Sequence, residues 1–217
     1  SAMGGTFGAR VSPEGFTFSA KGASAFPGQP DIGLVLSLLN SRVADVMFEF
    51  LAPTLDFNVG AIRLIPIPEL SEDTKVDITN RARELVAIAE AEWNSSEVSW
   101  NFARPGMLEF HSSLASSCFE SFAAFRQCAA DRVDELTDEI NNRLIAAYGL
   151  NAEDGLASTA SESQYLTPDP SVEARRLISY AIGCAMGRFS LDEPGLIYAR
   201  SAGIEFDFGR YAKLPVD

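Results

Sequence analysis

Three carboxylates near the middle of the chain have a spacing that could hold a metal ion. Asp131, Glu135 and Asp138 are four and three residues apart, so in a helix they share one face. Oxygen ligands arranged in this way suit a hard cation. Arg132 and Arg143 stand among them, and mixed charges along a helix are typical of a solvated outer face. The sequence therefore favours a solvated face over a metal site.

Histidine and cysteine chemistry is restricted by the composition. The 217 residues contain one histidine and three cysteines, whereas zinc and di-iron sites need several ligands at fixed spacings. A Cys–His or Ser–His arrangement around His111 stays open, but no signature flanks it, and we favour a surface or capping role. Odd, widely spaced cysteines are typical of reduced thiols in a cytoplasmic protein: Cys118, Cys128 and Cys184. From its composition and motifs, we do not expect this chain to be a complete enzyme.

The charge is distributed unevenly along the chain. The formal net charge is −13, with four basic and five acidic residues in residues 1–68, and 13 basic and 25 acidic residues in residues 69–217. The composition also changes at Ile65-Pro66-Ile67-Pro68, where alternating prolines exclude a helix. We predict two domains, residues 4–68 and 69–217, and expect the first to be incomplete at its N-terminus.

The pattern of apolar residues predicts an α+β fold. Apolar and polar residues alternate in four stretches that we predict to be extended, with a bend at Gly60: residues 7–11, 16–19, 23–26 and 55–67. A helix is predicted from an N-cap at Asp31 to the residues before Pro53. In the back part, apolar residues recur every three or four positions and predict three further helices: Asp73–Trp93, Ser117–Tyr148 and Val172–Phe189.

The predicted architecture is a small lobe of mixed strands and helix, followed by a mainly α-helical spacer with long antiparallel helices. The second long helix is expected to bury one face: Phe122, Phe125, Ala129, Val133, Leu136, Ile140, Leu144 and Ala147. Trp100 and Phe102 are expected to fill the connection before it. The longest uncharged helical stretch, Leu177–Gly187, has eleven residues, whereas a membrane span needs about 20. No membrane association is expected.

Several motifs resemble a known family. Leu36-Ser37-Leu38-Leu39-Asn40-Ser41, followed by Asn58-Val59-Gly60-x-Ile62-x-x-Ile65-Pro66-Ile67-Pro68, resembles the target-recognition domains of type I restriction specificity subunits. There, a helix and a strand lead into a helical spacer. Further motifs are similar to the PglX family, the large adenine-specific DNA methyltransferases of BREX phage-defence systems: Phe7-Gly8-Ala9-Arg10, Pro13-x-Gly15-Phe16, Trp100-Asn101-Phe102, Leu177–Cys184 and Gly187–Asp192.

The resemblance implies an activity whose catalytic residues lie outside these 217 residues. Members of the family transfer a methyl group from S-adenosylmethionine to the N6 atom of adenine, using an Asn-Pro-Pro-Tyr motif. Neither that motif nor the glycine motif of the cofactor site occurs here. We expect no catalytic, cofactor-binding or metal-binding residue in this chain, with S-adenosylmethionine bound elsewhere in a parent protein. The implied partners are double-stranded DNA and other defence proteins, in the cytoplasm.

DNA contacts are predicted in the front part, because loops and strand edges can reach a groove. The candidates are basic or polar residues on or beside the predicted strands: Arg10, Lys21, Ser24, Asn58 and Arg63. Asn58 also fits a role as a turn determinant. Two alternatives stay open: an acidic helical module that docks to partner proteins and, ranked last, a hydrolase that uses clustered carboxylates.

Overall fold

Helices make up the regular structure of the chain. The computed structural model describes residues 7–18, 22–28, 31–52, 57–151, 156 and 163–197. This part of the chain contains α-helices and two short 3₁₀ helices, at Gly106–Glu109 and Gln164–Leu166. The α-helices are α1 (Ile32–Leu39), α2 (Arg42–Leu51), α3 (Val59–Arg63), α4 (Glu72–Asn94), α5 (Ala115–Ala147) and α6 (Pro170–Ala185). The predicted α+β class is wrong, since these residues form no strand and no sheet.

The predicted strands near the N-terminus are irregular segments. Residues 7–11, 23–26 and the described part of 16–19 have no regular secondary structure. The Phe7 ring lies 4.3 Å from the ring of Phe48 in α2, and the peptide group of Ala9 is hydrogen-bonded to the side chain of Asn40. Contacts with helices therefore account for the apolar alternation that the sequence attributed to a sheet.

The predicted helix between Asp31 and Pro53 is interrupted at Ser41. Its hydroxyl accepts a hydrogen bond from the Ala44 N–H at 3.2 Å and donates one to the Leu38 carbonyl at 2.7 Å. One side chain thus caps the start of α2 and bonds the end of α1, which satisfies polar groups at both helix ends.

The last predicted strand contains a helix instead. Residues 53–56 lie outside the described part, and α3 follows after Asn58, whose side-chain oxygen accepts the Ala61 N–H at 3.0 Å. This cap favours helix over strand at Val59. Helix α3 contributes to an apolar cluster with α1 and α2: Leu38, Ala44, Phe48, Ala52, Phe57, Ala61 and Ile65.

The chain groups into two compact units. The first consists of residues 1–87 and 132–162, and the second of residues 88–131 and 163–217. Two of the three boundaries along the chain fall inside the longest helices, α4 and α5. The predicted division into domains 4–68 and 69–217 stays a prediction.

In the first unit, the predicted pairing of the long helices is confirmed. Helices α4 and α5 begin and end within two residues of their predicted bounds. Ile78 of α4 packs with Ile140 and Leu144 of α5, and all three are buried. Ion pairs join Arg81 to Glu139 and Arg132 to Glu84. Residue numbers rise along one helix as they fall along the other, so the segments are antiparallel.

The apolar stripes of both long helices include exposed residues. Phe125 is 60% exposed although it was placed on the inner face of α5, and Trp93 at the end of α4 is 59% exposed. Trp100, expected to fill the following connection, is exposed, whereas Phe102 is buried as predicted. An apolar stripe indicates where a helix can be covered, but Phe125 is exposed although Phe122, on the same stripe, is buried.

The second unit is built around α6 and the motif that follows it. Phe102, Tyr180 and Phe189 form an aromatic cluster, with Phe189 stacked 5.2 Å from the ring of Tyr180. The Tyr180 hydroxyl donates to the Ser190 carbonyl at 2.7 Å. Gly187 ends the helix with a φ of 73°, a left-handed conformation that favours glycine. This motif therefore has a structural role.

A buried arginine occupies the second unit as well. The Arg126 guanidinium forms an ion pair with Glu92, lies 5.6 Å from the centre of the Phe122 ring and donates to the Leu166 carbonyl at 3.0 Å. Burial lowers its pKa. These contacts offset the cost of burying the charge.

Within the described residues, no helix is both long enough and apolar enough to cross a membrane.

Candidate nucleic-acid interface

An aromatic cluster joins the two segments that carry the predicted DNA contacts. The Phe7 ring lies 5.3 Å from the Phe57 ring, and the Phe48 ring lies 5.4 Å from Phe57. Phe7 stands three residues before Arg10, and Phe57 directly precedes Asn58. Offset and edge-on rings of this kind are stabilised beyond their buried area. The cluster therefore fixes the N-terminal segment against the start of α3.

The backbone beside Arg10 is held by Asn40. The Asn40 amide oxygen accepts the Ala9 N–H at 2.9 Å, and its amide nitrogen donates to the Ala9 carbonyl at 3.0 Å. The same nitrogen lies 3.0 Å from the Leu36 carbonyl. Phe7 and Ala9 are half-buried, whereas Gly8 and Arg10 are exposed. The Arg10 side chain is thus accessible to solvent on an anchored backbone.

Arg63 and Asn58 lie at opposite ends of α3. Asn58 is the N-cap, so its side-chain oxygen is already engaged with the Ala61 N–H. Arg63 stands in the last turn and is exposed. A cation there is favoured by the partial negative charge of a helix C-terminus. Asn58 acts as the N-cap of a helix, whereas the sequence indicated a strand and turn determinant, and Arg63 keeps an accessible charge.

Ser24 and Lys21 are the other two predicted DNA contacts, and the described residues include Ser24 but not Lys21. Ser24 is exposed, and its hydroxyl donates only to the nearby Gly22 carbonyl at 3.4 Å. Lys21 lies outside the described residues. The contacts of the described part link the segment of Arg10 with α3, and they do not link Ser24 with either. All five DNA contacts stay predictions.

The fourth basic residue of the front part, Arg42, has a structural role. Its guanidinium is 2.9 Å from the Asp138 carboxylate and 3.3 Å from the Leu156 carbonyl. Its backbone N–H donates to the side chain of Asn141 at 3.0 Å. Arg42 therefore joins α2 to α5 and is not available to bind a phosphate.

Most of the described cations are paired with acids. Across the described ranges, five arginines have no carboxylate within 4.0 Å: Arg10, Arg63, Arg83, Arg175 and Arg188. In the first unit, Arg83 stands on α4, and its guanidinium donates to Asn80 at 3.2 Å. Of these five arginines, Arg10 and Arg63 stand on the two segments that the aromatic cluster joins.

The carboxylates that could hold a cation are engaged elsewhere. Asp138 pairs with Arg42, Glu135 lies 2.5 Å from Arg132, and Asp131 accepts a hydrogen bond from Gln127 at 2.8 Å. Where the structure describes the chain, no group of three or more His, Cys, Asp and Glu side chains could hold a metal ion. Asp131, Glu135 and Asp138 are exposed.

Arg132 of α5 pairs with an acid of α4. Its guanidinium contacts both oxygens of Glu84, at 2.6 and 3.0 Å. This hydrogen bonding holds the pKa of the Glu84 carboxyl below its ordinary value. Glu84 of α4 thus helps to hold α5 through Arg132, and such pairs leave the net charge of −13 unchanged.

His111 borders a groove in the second unit. The groove has a volume of about 350 Å³ and is lined by Met107, Leu108, Phe110, His111, Ser112, Ala115, Cys118 and Leu177. The Cys118 thiol donates to the Ser112 carbonyl at 3.9 Å. The wall is mostly apolar, and the thiol bonds to a backbone oxygen, so the groove does not display a Cys–His catalytic pair.

Comparison with known proteins gives two homologues over nearly the whole chain. The chain is 32% identical, over 215 residues and 95% of its length, to a protein of Lacticaseibacillus casei (strain Zhang) named adenine-specific methyltransferase PglX. It is 27% identical, over 97% of its length, to adenine-specific methyltransferase BrxX of Escherichia coli O9:H4 (strain HS). The match covers only part of each relative, since the chain spans 17% and 19% of their lengths. No family model matches.

One residue of the candidate interface was missed from the sequence. Asn40 belongs to a quoted motif, but only the structure reveals its hydrogen bonds to Ala9, 31 residues earlier in the chain. An asparagine followed by serine between two apolar helical runs is a signal for a helix break. That signal could have located the break, and it could not have identified Ala9 as the partner.

Proposed function

We propose that these 217 residues form a non-catalytic, DNA-contacting part of a longer adenine-specific DNA methyltransferase in a BREX-type phage-defence system. Similarity to two proteins named adenine-specific methyltransferases supports this, since it extends over 95% and 97% of the chain. The Asn-Pro-Pro-Tyr motif is absent from the sequence, which supports a role other than methyl transfer. Double-stranded DNA is the proposed partner.

One observation carries the DNA-contacting role. Arg10 and Arg63 are exposed, lack a carboxylate partner among the residues described, and stand on segments that meet through Phe7 and Phe57. Most other described cations of the first unit are engaged by acids. A cation held on an anchored backbone loses little conformational freedom when it binds a phosphate. These two arginines would contact the DNA backbone and set the orientation of the duplex.

Methyl transfer would require S-adenosylmethionine, and the residues here do not fit that cofactor. Of the possible glycine loop Gly4-Gly5-x-x-Gly8, the structure describes Gly8 alone, which lies in an irregular segment. The N-termini of α2, α3 and α6 are capped by their own chain, through Ser41, Asn58 and Asp169. We therefore place the cofactor outside this region and derive no chemical step here.

Binding of duplex DNA by the purified 217-residue chain separates this proposal from the docking alternative. Fluorescence anisotropy would be measured at several salt concentrations between about 50 and 200 mM, the range over which phosphate contacts weaken strongly. A DNA reader should bind more weakly as salt rises, whereas a pure docking module should not bind DNA at any of these concentrations. The same chain is expected not to bind S-adenosylmethionine in a calorimetric titration.

The docking module stays as a second candidate because of one feature of the second unit. Helix α6 exposes Ile178, Ile182 and Met186 to solvent, at 60%, 55% and 75%. Exposed apolar residues along one helix face are typical of a surface that another element covers. This feature is compatible with DNA contact by the first unit, so one polypeptide can carry both roles.

A further inference from the structure

Helix α6 has two faces of different character. Its inner face packs in the second unit, where Tyr180 and Gly183 are buried against Phe189. A Cβ atom on Gly183 would lie 2.5 Å from the Phe189 ring, so this contact is close. The outer face consists of exposed residues, most of which are apolar: Ala174, Arg175, Ile178, Ser179, Ala181, Ile182, Ala185 and Met186, which directly follows the helix. The Ser179 hydroxyl donates to the Glu97 carboxylate at 3.1 Å. We call these residues the α6 outer face.

The chemistry of the α6 outer face restricts what can cover it. Ile178, Ile182 and Met186 follow each other at intervals of four residues, which aligns them along the helix. Ala181 and Ala185 keep the surface beside them low, and small residues let another helix approach closely. Such a face offers apolar contact and no row of cations, so it does not suit a phosphate backbone.

Charge gives the orientation of the partner. In a chain with a net charge of −13, the outer face carries a single charged residue, Arg175, at its N-terminal end. Arg175 is exposed and has no carboxylate within 4.0 Å in the described ranges. A complementary surface would therefore be apolar, with an acidic residue opposite Arg175.

The relatives indicate where such a surface can come from. The chain spans 17% and 19% of their lengths, so about four fifths of each relative lies outside the matched region. A longer polypeptide of this kind would have other regions to pack against exposed apolar faces, and interfaces between domains of one chain commonly do so.

We propose that the α6 outer face docks against an apolar helix in the methyltransferase region of the same longer polypeptide, with an acid of that helix facing Arg175. This inference rests on the proposed function insofar as the 217 residues are part of a larger methyltransferase. It adds to that function an intramolecular interface formed by the second unit.

Thiol labelling of Ile182→Cys tests the interface. The variant would be made in a background in which Cys118 and Cys128 are serine and Cys184 is alanine, both in the 217-residue chain and in the full-length protein. Its rate of reaction with a maleimide would be compared with that of Glu120→Cys, an exposed position on α5. Circular dichroism of each variant would establish that it is folded.

The proposal predicts rapid labelling of residue 182 in the 217-residue chain and at least tenfold slower labelling in the full-length protein. The control at residue 120 should react at the same rate in both. Equal rates at residue 182 would overturn the proposal. Slow labelling in the 217-residue chain would also overturn it: the face would be covered by a second copy if the rate depends on protein concentration, and by this chain itself if it does not.

A second variant distinguishes docking from simple exposure. Ile182→Glu should leave the unfolding of the 217-residue chain unchanged, because its side chain is already exposed there. In the full-length protein it should increase cleavage by a protease between the two regions. Unchanged proteolysis would contradict the interface. Neither readout involves DNA, so the docking proposal can fail while the DNA-contacting function stands, and the reverse also holds.

Discussion

The side-chain amide of Asn40 pairs with the peptide group of Ala9 as a neighbouring strand would, accepting from its N–H at 2.9 Å and donating to its carbonyl at 3.0 Å. A single side chain thus satisfies a backbone segment that otherwise forms no ladder. The consequence is that Arg10, the next residue, is presented from a fixed backbone. The Asn40–Ala9 pair thus connects the fold to the proposed DNA contact of Arg10.

Asn40→Ala is expected to lower the free energy of unfolding by about 1 to 2 kcal/mol, since the bonds lost are partly exposed to water. Hydrogen exchange at the Ala9 N–H should become faster in the variant. The matched control is Asn80→Ala, which removes an exposed amide whose oxygen accepts a hydrogen bond from Arg83, and it should be nearly neutral. Urea unfolding measures both. An unchanged Ala9 exchange rate would show that the pair does not hold the segment.

Gly33→Ala should destabilise the chain, although alanine favours helix. A Cβ atom at Gly33 would lie 2.9 Å from the Cγ2 atom and 3.0 Å from the Cα atom of Thr79. Because backbone atoms cannot move aside easily, we expect overpacking to cost about 1 to 3 kcal/mol, more than the propensity gain of about 1 kcal/mol. Gly8→Ala has open space around it and serves as the control. Thermal or urea unfolding measures both variants. If Gly33→Ala is more stable than Gly8→Ala, the close contact between Gly33 and Thr79 is contradicted.

Leu136→Ala and Ile140→Ala should each lower the unfolding free energy by about 2 to 5 kcal/mol, because both side chains are buried between helices. Phe125→Ala, on the same helix, should cost much less, since Phe125 is 60% exposed. Denaturant titrations of the three variants test the burial pattern of α5. A loss at Phe125 as large as that at Leu136 would show that the exposed end of the stripe is covered.

Helix α6 should lose stability in acid through Asp169. Hydrogen bonds from Ser171 hold the pKa of Asp169 below its ordinary value of 3.8, and the bond from the Ser171 side chain contributes more than the bond from its backbone. A carboxylate with a lowered folded pKa stabilises the fold above its unfolded pKa, and this stabilisation is lost as the pH falls through the folded pKa. Asp169→Asn keeps a capping oxygen that does not titrate.

The stability difference between the native chain and Asp169→Asn is therefore expected to be largest near neutral pH and to shrink below about pH 3.8. Unfolding free energies of both proteins, measured from neutral pH to about pH 3, give this difference. If it stays constant across the series, Asp169 does not contribute through its charge.

The long helices could be predicted because their stability depends on local spacing. Ile78 and Ala82 on α4, and Leu136 and Ile140 on α5, repeat at helical intervals and are buried. Which positions of each stripe stay uncovered could not be predicted, since Trp93 and Phe125 fit the pattern and are exposed, whereas Phe122 is buried. Periodicity records a face, whereas burial depends on what lies opposite it.

The N-terminal part could not be predicted from local pattern, since its structure depends on distant partners. Phe7 alternates with polar residues as a strand would, but its contact is Phe48 on a helix. At the candidate interface, Arg10 and Arg63 were identified as accessible cations. That Arg42 differs from them follows from Asp138, 96 residues away in the chain, which no local motif indicates.

DNA affinity of the full-length protein, measured across a series of salt concentrations, tests the central claim most directly. Arg10→Ala and Arg63→Ala are compared with Arg83→Ala, an exposed arginine on α4 that bonds only Asn80 in the described part of the chain. If Arg10 and Arg63 bind phosphates, each variant should bind every sequence more weakly and flatten the salt dependence by about one unit of slope, while Arg83→Ala behaves as the native protein. Unchanged affinity and slope in both variants would contradict a DNA-contacting role for the first unit.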